Sequence, residues 1–251
     1  MGFGQLPAAA HLLAGKVAVV TGADGALGRS IVEVFREQGA TVVGVDLSGA
    51  DCIHANVASA EDNRRVVDAV VRQHGAIDVL VLNAGVQRMS PIVDFPPEEW
   101  ERLLGVMLTG PFLAIQAAWP FLTASPGGRI LATASTSSYI AEKYKSAYVA
   151  AKHGLLGLIK VAALEGAEHQ LTANAVAPSW MRTPLVENQV AERVSLLNLT
   201  AEQVIADMVG EQAEKRFVET VEVASTLAFL ASSAASGITG SCVPVDLGAL
   251  A

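Results

Sequence analysis

The chain of 251 residues is 51% hydrophobic and 17% charged, enough apolar content for a sizeable core within one domain spanning 1–251. Its formal charge of -8 argues against nucleic acid as a partner and favours a small-molecule substrate. The two cysteines, Cys52 and Cys242, are too few for a disulfide framework and lack metal-ligand spacing, so a cytoplasmic setting and no metal are expected.

The leading stretch up to Lys16 has neither a basic segment nor an apolar core long enough for export and reads as a short tail. Lys16–Gly22 (KVAVVTG) is a β-branched run ending in glycine, followed by a segment in which Leu27, Ile31, Val34 and Phe35 recur at helical spacing. Further strands are expected at Thr41–Asp46, Asp78–Gly85, Gly128–Ser135, Leu171–Pro178 and Ser241–Asp246. Helices are expected at 60–74, 98–122, 146–166 and 220–232. Strands alternating with helices predict an α/β fold with a parallel sheet covered on both faces. Only Leu47–Ala50 separate the second strand from the next, DCIHANV, so either the usual crossover helix is absent or the third strand is short. The uncharged run Leu103–Gly128 admits a membrane-spanning reading, but Gly105, Gly110, Pro111, Gln116 and Pro120 interrupt it, and a buried interface helix is expected. From Thr183 to about Val218, apolar and charged residues interleave as in helices lying over a site, read here as a lid.

The turn from Thr21 to Gly28 (TGADGALG) lies between the first strand and its helix, where backbone N–H groups can face a pyrophosphate. Such a turn also serves plain packing, so its position gives it weight. Asp46, at the end of the second strand, is placed to accept hydrogen bonds from both ribose hydroxyls of NAD and to repel a 2′-phosphate. No Lys or Arg lies in the glycine turn or in Leu47–Ala50 to compensate, which favours NAD over NADP. Tyr148 and Lys152 are four apart and share one helix face, where an ammonium stabilises a phenolate. That is the general base that hydride transfer from an alcohol requires. Ser135, at a strand end, is placed to hold the substrate oxygen, and Asn83-Ala84-Gly85 closes the strand flanking the cofactor.

These motifs, with Asn174–Pro178 (NAVAP), resemble the short-chain dehydrogenase/reductase family in the right order across nearly the whole chain. The resemblance implies a Rossmann-like doubly wound sheet of about seven strands and a Ser135-Tyr148-Lys152 catalytic core. For NAD it implies a site built from Gly22, Asp24, Gly25, Leu27, Gly28, Asp46, Asn56, Asn83, Ala84 and Gly85, completed by Tyr148, Lys152, Pro178 and Thr183. It also implies a homotetramer, or a dimer, packed through the two long helices. Within the family, the segments AYVAAKHGLLGLIK, Trp180–Gln189 and Ala84–Gln87 are similar to D-3-hydroxybutyrate dehydrogenases. The positions matching their carboxylate clamp carry Gln87, Lys145, Trp180 and Gln189, beside Ser135, Ser137 and Tyr148. One cation, two amides and an aromatic wall suit a short 3-hydroxy acid.

The chain departs from these patterns in places. Ala26 stands where the family's glycine turn usually has glycine, and Leu82 and Ser179 replace common residues without removing a reacting group. Met107 occupies the place of an asparagine that kinks the helix and helps hold a water chain leading from the active-site lysine, so a weakened or rerouted proton relay is expected. Ser137 replaces a histidine of the hydroxybutyrate group, and the loop Thr136–Tyr144 differs, with Tyr139, Glu142 and Lys143 able to line a differently shaped pocket. These departures keep two alternatives open: a dehydrogenase of another secondary alcohol or cyclic diol, and a nucleotide-binding scaffold with little catalysis.

Overall fold

The computed structural model describes residues 11–210 and 212–251. Most of the segment read as a tail lies outside the described residues. The elements are β1 (Val17–Thr21), α1 (Ala26–Glu37), β2 (Thr41–Asp46), β3 (Cys52–His54), α2 (Ala60–His74), β4 (Val79–Leu82), α3 (Pro97–Leu104), α4 (Gly110–Ala124) and β5 (Arg129–Thr133). They continue with α5 (Ser146–Gly166), β6 (Thr172–Pro178), α6 (Pro184–Leu197), α7 (Ala201–Gly210), α8 (Thr220–Ala231) and β7 (Cys242–Val245).

The strands form one 7-stranded parallel sheet in the order β3-β2-β1-β4-β5-β6-β7. This is the Rossmann-like doubly wound arrangement, in which the strand order reverses between β1 and β4 and opens a crevice at their C-terminal ends. Side-chain alternation builds the two cores. Val17, Val19, Leu80, Leu82, Ile130 and Ala132 face the layer of α2, α4 and α5, whereas Ala18, Val20, Val79, Val81 and Leu131 face α1 and α8.

The connection between β2 and β3 has no helix, and β3 has only three residues, so both readings of that short crossover hold. Because Gly44 pairs with Cys52 and Asp46 with His54, the chain has to step back only two residues, about 7 Å, which the loop 47–51 can span. Gly49, at φ 102, turns it. The stretch expected as one helix over 98–122 is broken: α3 and α4 are joined by a π-helical turn, Gly105–Thr109, with Met107 buried at its centre. The kink expected of an asparagine is thus made without one. By length and composition alone, the stretches 97–124 and 146–169 could cross a membrane, but each buries one side in the protein core.

The crevice depends on close backbone approach. A Cβ on Gly28 would lie 1.9 Å from the Gly22 carbonyl oxygen, and one on Gly22 would lie 2.7 Å from Ala84 Cα. Gly28→Ala is therefore expected to lower stability by about 3 kcal/mol. The shift of the urea midpoint checks this; an unchanged midpoint would show that the contact relaxes freely.

Candidate active site

A cavity of about 590 Å³ follows the C-terminal ends of β1, β2, β4, β5 and β6, and every residue expected in the cofactor, catalytic and substrate sets lines it. At one end, α1 begins at Gly25 with no side-chain cap and no acidic residue in its first turn. Its first N–H groups are left for an anion, and the helix dipole favours one there. By contrast, Ser59 caps α2 and Thr183 caps α6. The uncapped turn and the glycine cradle beside it fit a dinucleotide diphosphate.

Asp46 is fixed by its backbone surroundings: its Oδ2 accepts the Asp24 N–H at 2.9 Å and its Oδ1 the Leu47 N–H at 2.7 Å. Arg29 lines the same end of the cavity, a cation that the sequence reading overlooked. It is paired with Asp24 at 2.9 Å, and Ser48 donates to the same carboxylate. The Asn83 side chain acts as a strut, donating to the Thr21 and Gly22 carbonyls and accepting from Thr133. Asn56 shapes the turn after β3 by accepting the Ala58 N–H, whereas Ala84, Gly85 and Pro178 contribute to the cavity wall.

At the centre, Ser135 leaves the end of β5, and Tyr148 and Lys152 rise from the first turns of α5. Ser135 Oγ accepts the Ser137 N–H at 3.1 Å, which fixes its rotamer beside the phenol. Lys152 Nζ donates to the Thr133 carbonyl at 2.5 Å and sits 5.6 Å from the centre of the Tyr148 ring. Burial acts oppositely on the two groups. It pushes the Tyr148 phenol up to about 12, against a hydrogen bond with Ser135 and aided by the Glu142 charge, and it brings Lys152 down to about 8. Met107 packs with Leu103, Ala147 and Ala151 beneath Tyr148.

The substrate end departs most from expectation. Lys145, only 2% exposed, is paired with Glu142 at 2.8 Å, and Glu142 also accepts from Arg193 at 2.8 Å and from Ser137 at 2.6 Å. Burial raises the Glu142 carboxyl, but the charge of Lys145 and these hydrogen bonds outweigh it and hold the group below the usual carboxylate range. Trp180, expected as an aromatic wall, also carries both cations, with Lys145 Nζ 4.3 Å and Arg193 Cζ 4.8 Å from its ring centre. Gln87 Nε2 and Gln189 Oε1 are buried without partners. Sequence reasoning missed Arg193, although it stands one helical turn after Gln189 and so shares its face.

A family model described as Enoyl-(acyl carrier protein) reductase matches residues 22–249. The chain belongs to the short-chain dehydrogenase/reductase family. It is an oxidoreductase of that family. A D-beta-hydroxybutyrate dehydrogenase of Cupriavidus necator is 37% identical, over 94% of this chain and 98% of that protein. The solved aldohexose dehydrogenase of Thermoplasma acidophilum has a TM-score of 0.88 and 34% identity, over 95% of each chain. A carveol dehydrogenase from Mycobacterium avium, solved in complex with NAD, has a TM-score of 0.89 and 26% identity, over 95% of this chain and 99% of that one.

The depressed Lys152 has a consequence for stability. Its ordinary value is 10.5, so between pH 8 and 10.5 the unfolded chain binds more protons than the folded one and this group's contribution to stability rises with pH. Below pH 8 the buried charge costs up to about 3 kcal/mol. Lys152→Met is expected to raise the melting temperature at pH 7, with an advantage that shrinks toward pH 10. Thermal unfolding at the two pH values checks it, and a destabilised variant at pH 7 refutes it.

Proposed function

We propose that the protein oxidises a small 3-hydroxy acid, D-3-hydroxybutyrate or a near relative, with NAD, and catalyses the reverse reduction. The observation that carries this reading is the juxtaposition of Ser135, Tyr148 and Lys152 with a second lysine in the same cavity, Lys145, whose Nζ lies 5.9 Å from the centre of the Tyr148 ring. Ser135 orients the substrate hydroxyl and Tyr148 takes its proton. Bound NAD supplies the acceptor for the hydride leaving the carbinol carbon. Lys152 stabilises the phenolate electrostatically, against the rise that burial imposes on the phenol. Lys152 and Thr183 would hold the nicotinamide end of the cofactor, and the N–H groups at the start of α1 would hold its diphosphate.

The preference for NAD rests on Asp46, reinforced by Asp24. Both carboxylates line the adenosine end, and Arg29 is already paired there. Helices α6 and α7 serve as the lid. The protein works in the cytoplasm on a small molecule, without nucleic acid or membrane, as a homotetramer or a dimer. The apolar side chains of Phe112, Val161 and Leu164, exposed on α4 and α5, support assembly through those helices.

One observation favours a second reading. Glu142 already pairs with Lys145, which suits a neutral secondary alcohol or cyclic diol in place of an acid. NADH formation with D- and L-3-hydroxybutyrate, beside a panel of short hydroxy acids and neutral alcohols, separates the two. Tyr148→Phe is expected to lower kcat/KM about 1000-fold while leaving NAD binding intact, and near-normal turnover would refute the mechanism. Lys145→Ala is expected to raise KM for hydroxy acids about tenfold or more; an unchanged KM removes the clamp.

A further inference from the structure

Arg29 places a cation at the adenosine end of the cavity, together with Asp46, Leu47 and Ser48. A guanidinium there is the chemistry that accepts a 2′-phosphate, so the lack of Lys and Arg in the glycine turn does not by itself exclude NADP. What decides is how Arg29 is held. Its Nε and Nη2 both donate to Asp24 Oδ1, at 3.3 and 2.9 Å, and Ser48 Oγ donates to Asp24 Oδ2 at 3.3 Å. Asp24 therefore occupies two side-chain donors that a phosphate ester between them would use, one from the first turn of α1 and one from the loop between β2 and β3. The carboxylate is itself anchored. The Asp24 N–H donates to Asp46 Oδ2 at 2.9 Å, and the turn at Gly49 packs against the side chain, since a Cβ there would lie 3.0 Å from Asp24 Cγ.

We propose that Asp24 is a specificity-determining residue that excludes NADP by holding Arg29 and Ser48, and that these two side chains form a latent 2′-phosphate site. This deepens the NAD reading above, on which it rests, and assigns part of the discrimination to a residue other than Asp46. The Arg29 side chain is 69% exposed and that of Asp24 31%, so the ion pair adds little to stability, and the guanidinium has room to swing once the carboxylate is gone. With Asp24 in place, a guanidinium that turned to a phosphate would leave one anion facing another. The two carboxylates thus act differently. Asp46 repels the phosphate directly, whereas Asp24 withholds the groups that would bind it, and the effects of removing both reinforce each other.

The test is fluorescence titration of the full chain with NADH and with NADPH, read as the ratio of their dissociation constants, with the melting temperature as a control for folding. Wild-type protein is expected to favour NADH by about 100-fold or more. Asp24→Asn should narrow that ratio about tenfold through tighter NADPH binding. Adding Arg29→Gln to Asp24→Asn should restore the lost discrimination, whereas Arg29→Gln alone should leave NADPH affinity close to that of wild type. Asp24→Asn combined with Asp46→Asn should shift the ratio further than the product of the two single effects. Asp24→Ser, smaller and also neutral, gives the same reading if the amide disturbs the turn. A gain in Asp24→Asn that survives Arg29→Gln would show that Asp24 acts through its own charge alone; it would overturn the latent site and leave the NAD reading standing. An unchanged ratio in both Asp24 variants would do the same. Equal affinity of wild-type protein for NADH and NADPH would sink the NAD reading, and this proposal with it.

Discussion

Everything chemical in this protein depends on how closely three stretches of backbone meet where the sheet changes direction. The end of β1, the first turn of α1 and the end of β4 approach to distances that admit no side chain at Gly22 or Gly28. That contact places the open N-terminus of α1 beside the sheet and keeps it free of a competing cap. It also aligns the crevice with the ends of β5 and β6, so Ser135 and Pro178 fall on the same cavity as the glycine turn. A helix displaced by one methyl group would separate the diphosphate site from the reacting groups it must serve.

Stability is spent within this frame. A buried phenol and a buried ammonium face each other with their proton affinities pushed in opposite directions, the phenol toward its neutral form and the ammonium toward losing its charge. Both shifts come from the low-dielectric surroundings that a proton-transfer site needs, since there a nearby charge acts strongly. At the substrate end, two cations and a carboxylate share that environment, and their pairing offsets part of the cost of burying them.

The sequence made much of this legible because the relevant signals are local. The strands, the glycine turn, Asp46 and the Tyr148–Lys152 spacing each follow from neighbours within a few residues, and the structure gathers all of them on one cavity. The break between α3 and α4 was not legible. Gly105–Thr109 is uniformly apolar or small, and a π turn differs from an α turn only in how the backbone closes. The partnership of Glu142 with Lys145 and Arg193 was hidden for another reason: Arg193 lies far along the chain, on a helix whose orientation no local pattern fixes. Arg29 was hidden by its place just beyond the glycine turn, where it reads as an ordinary solvent-facing helix residue.

The π turn also sets a reading frame for the helix that follows. It inserts one residue relative to an uninterrupted α-helix, and that residue rotates α4 by about 100° with respect to α3. Ala114, Ala118 and Leu122 owe their position in the core to that rotation. The stretch is therefore sensitive to length as well as to the packing of Met107. Loss of a single residue between 105 and 109 would close the turn into plain helix and swing the inward stripe of α4 toward solvent.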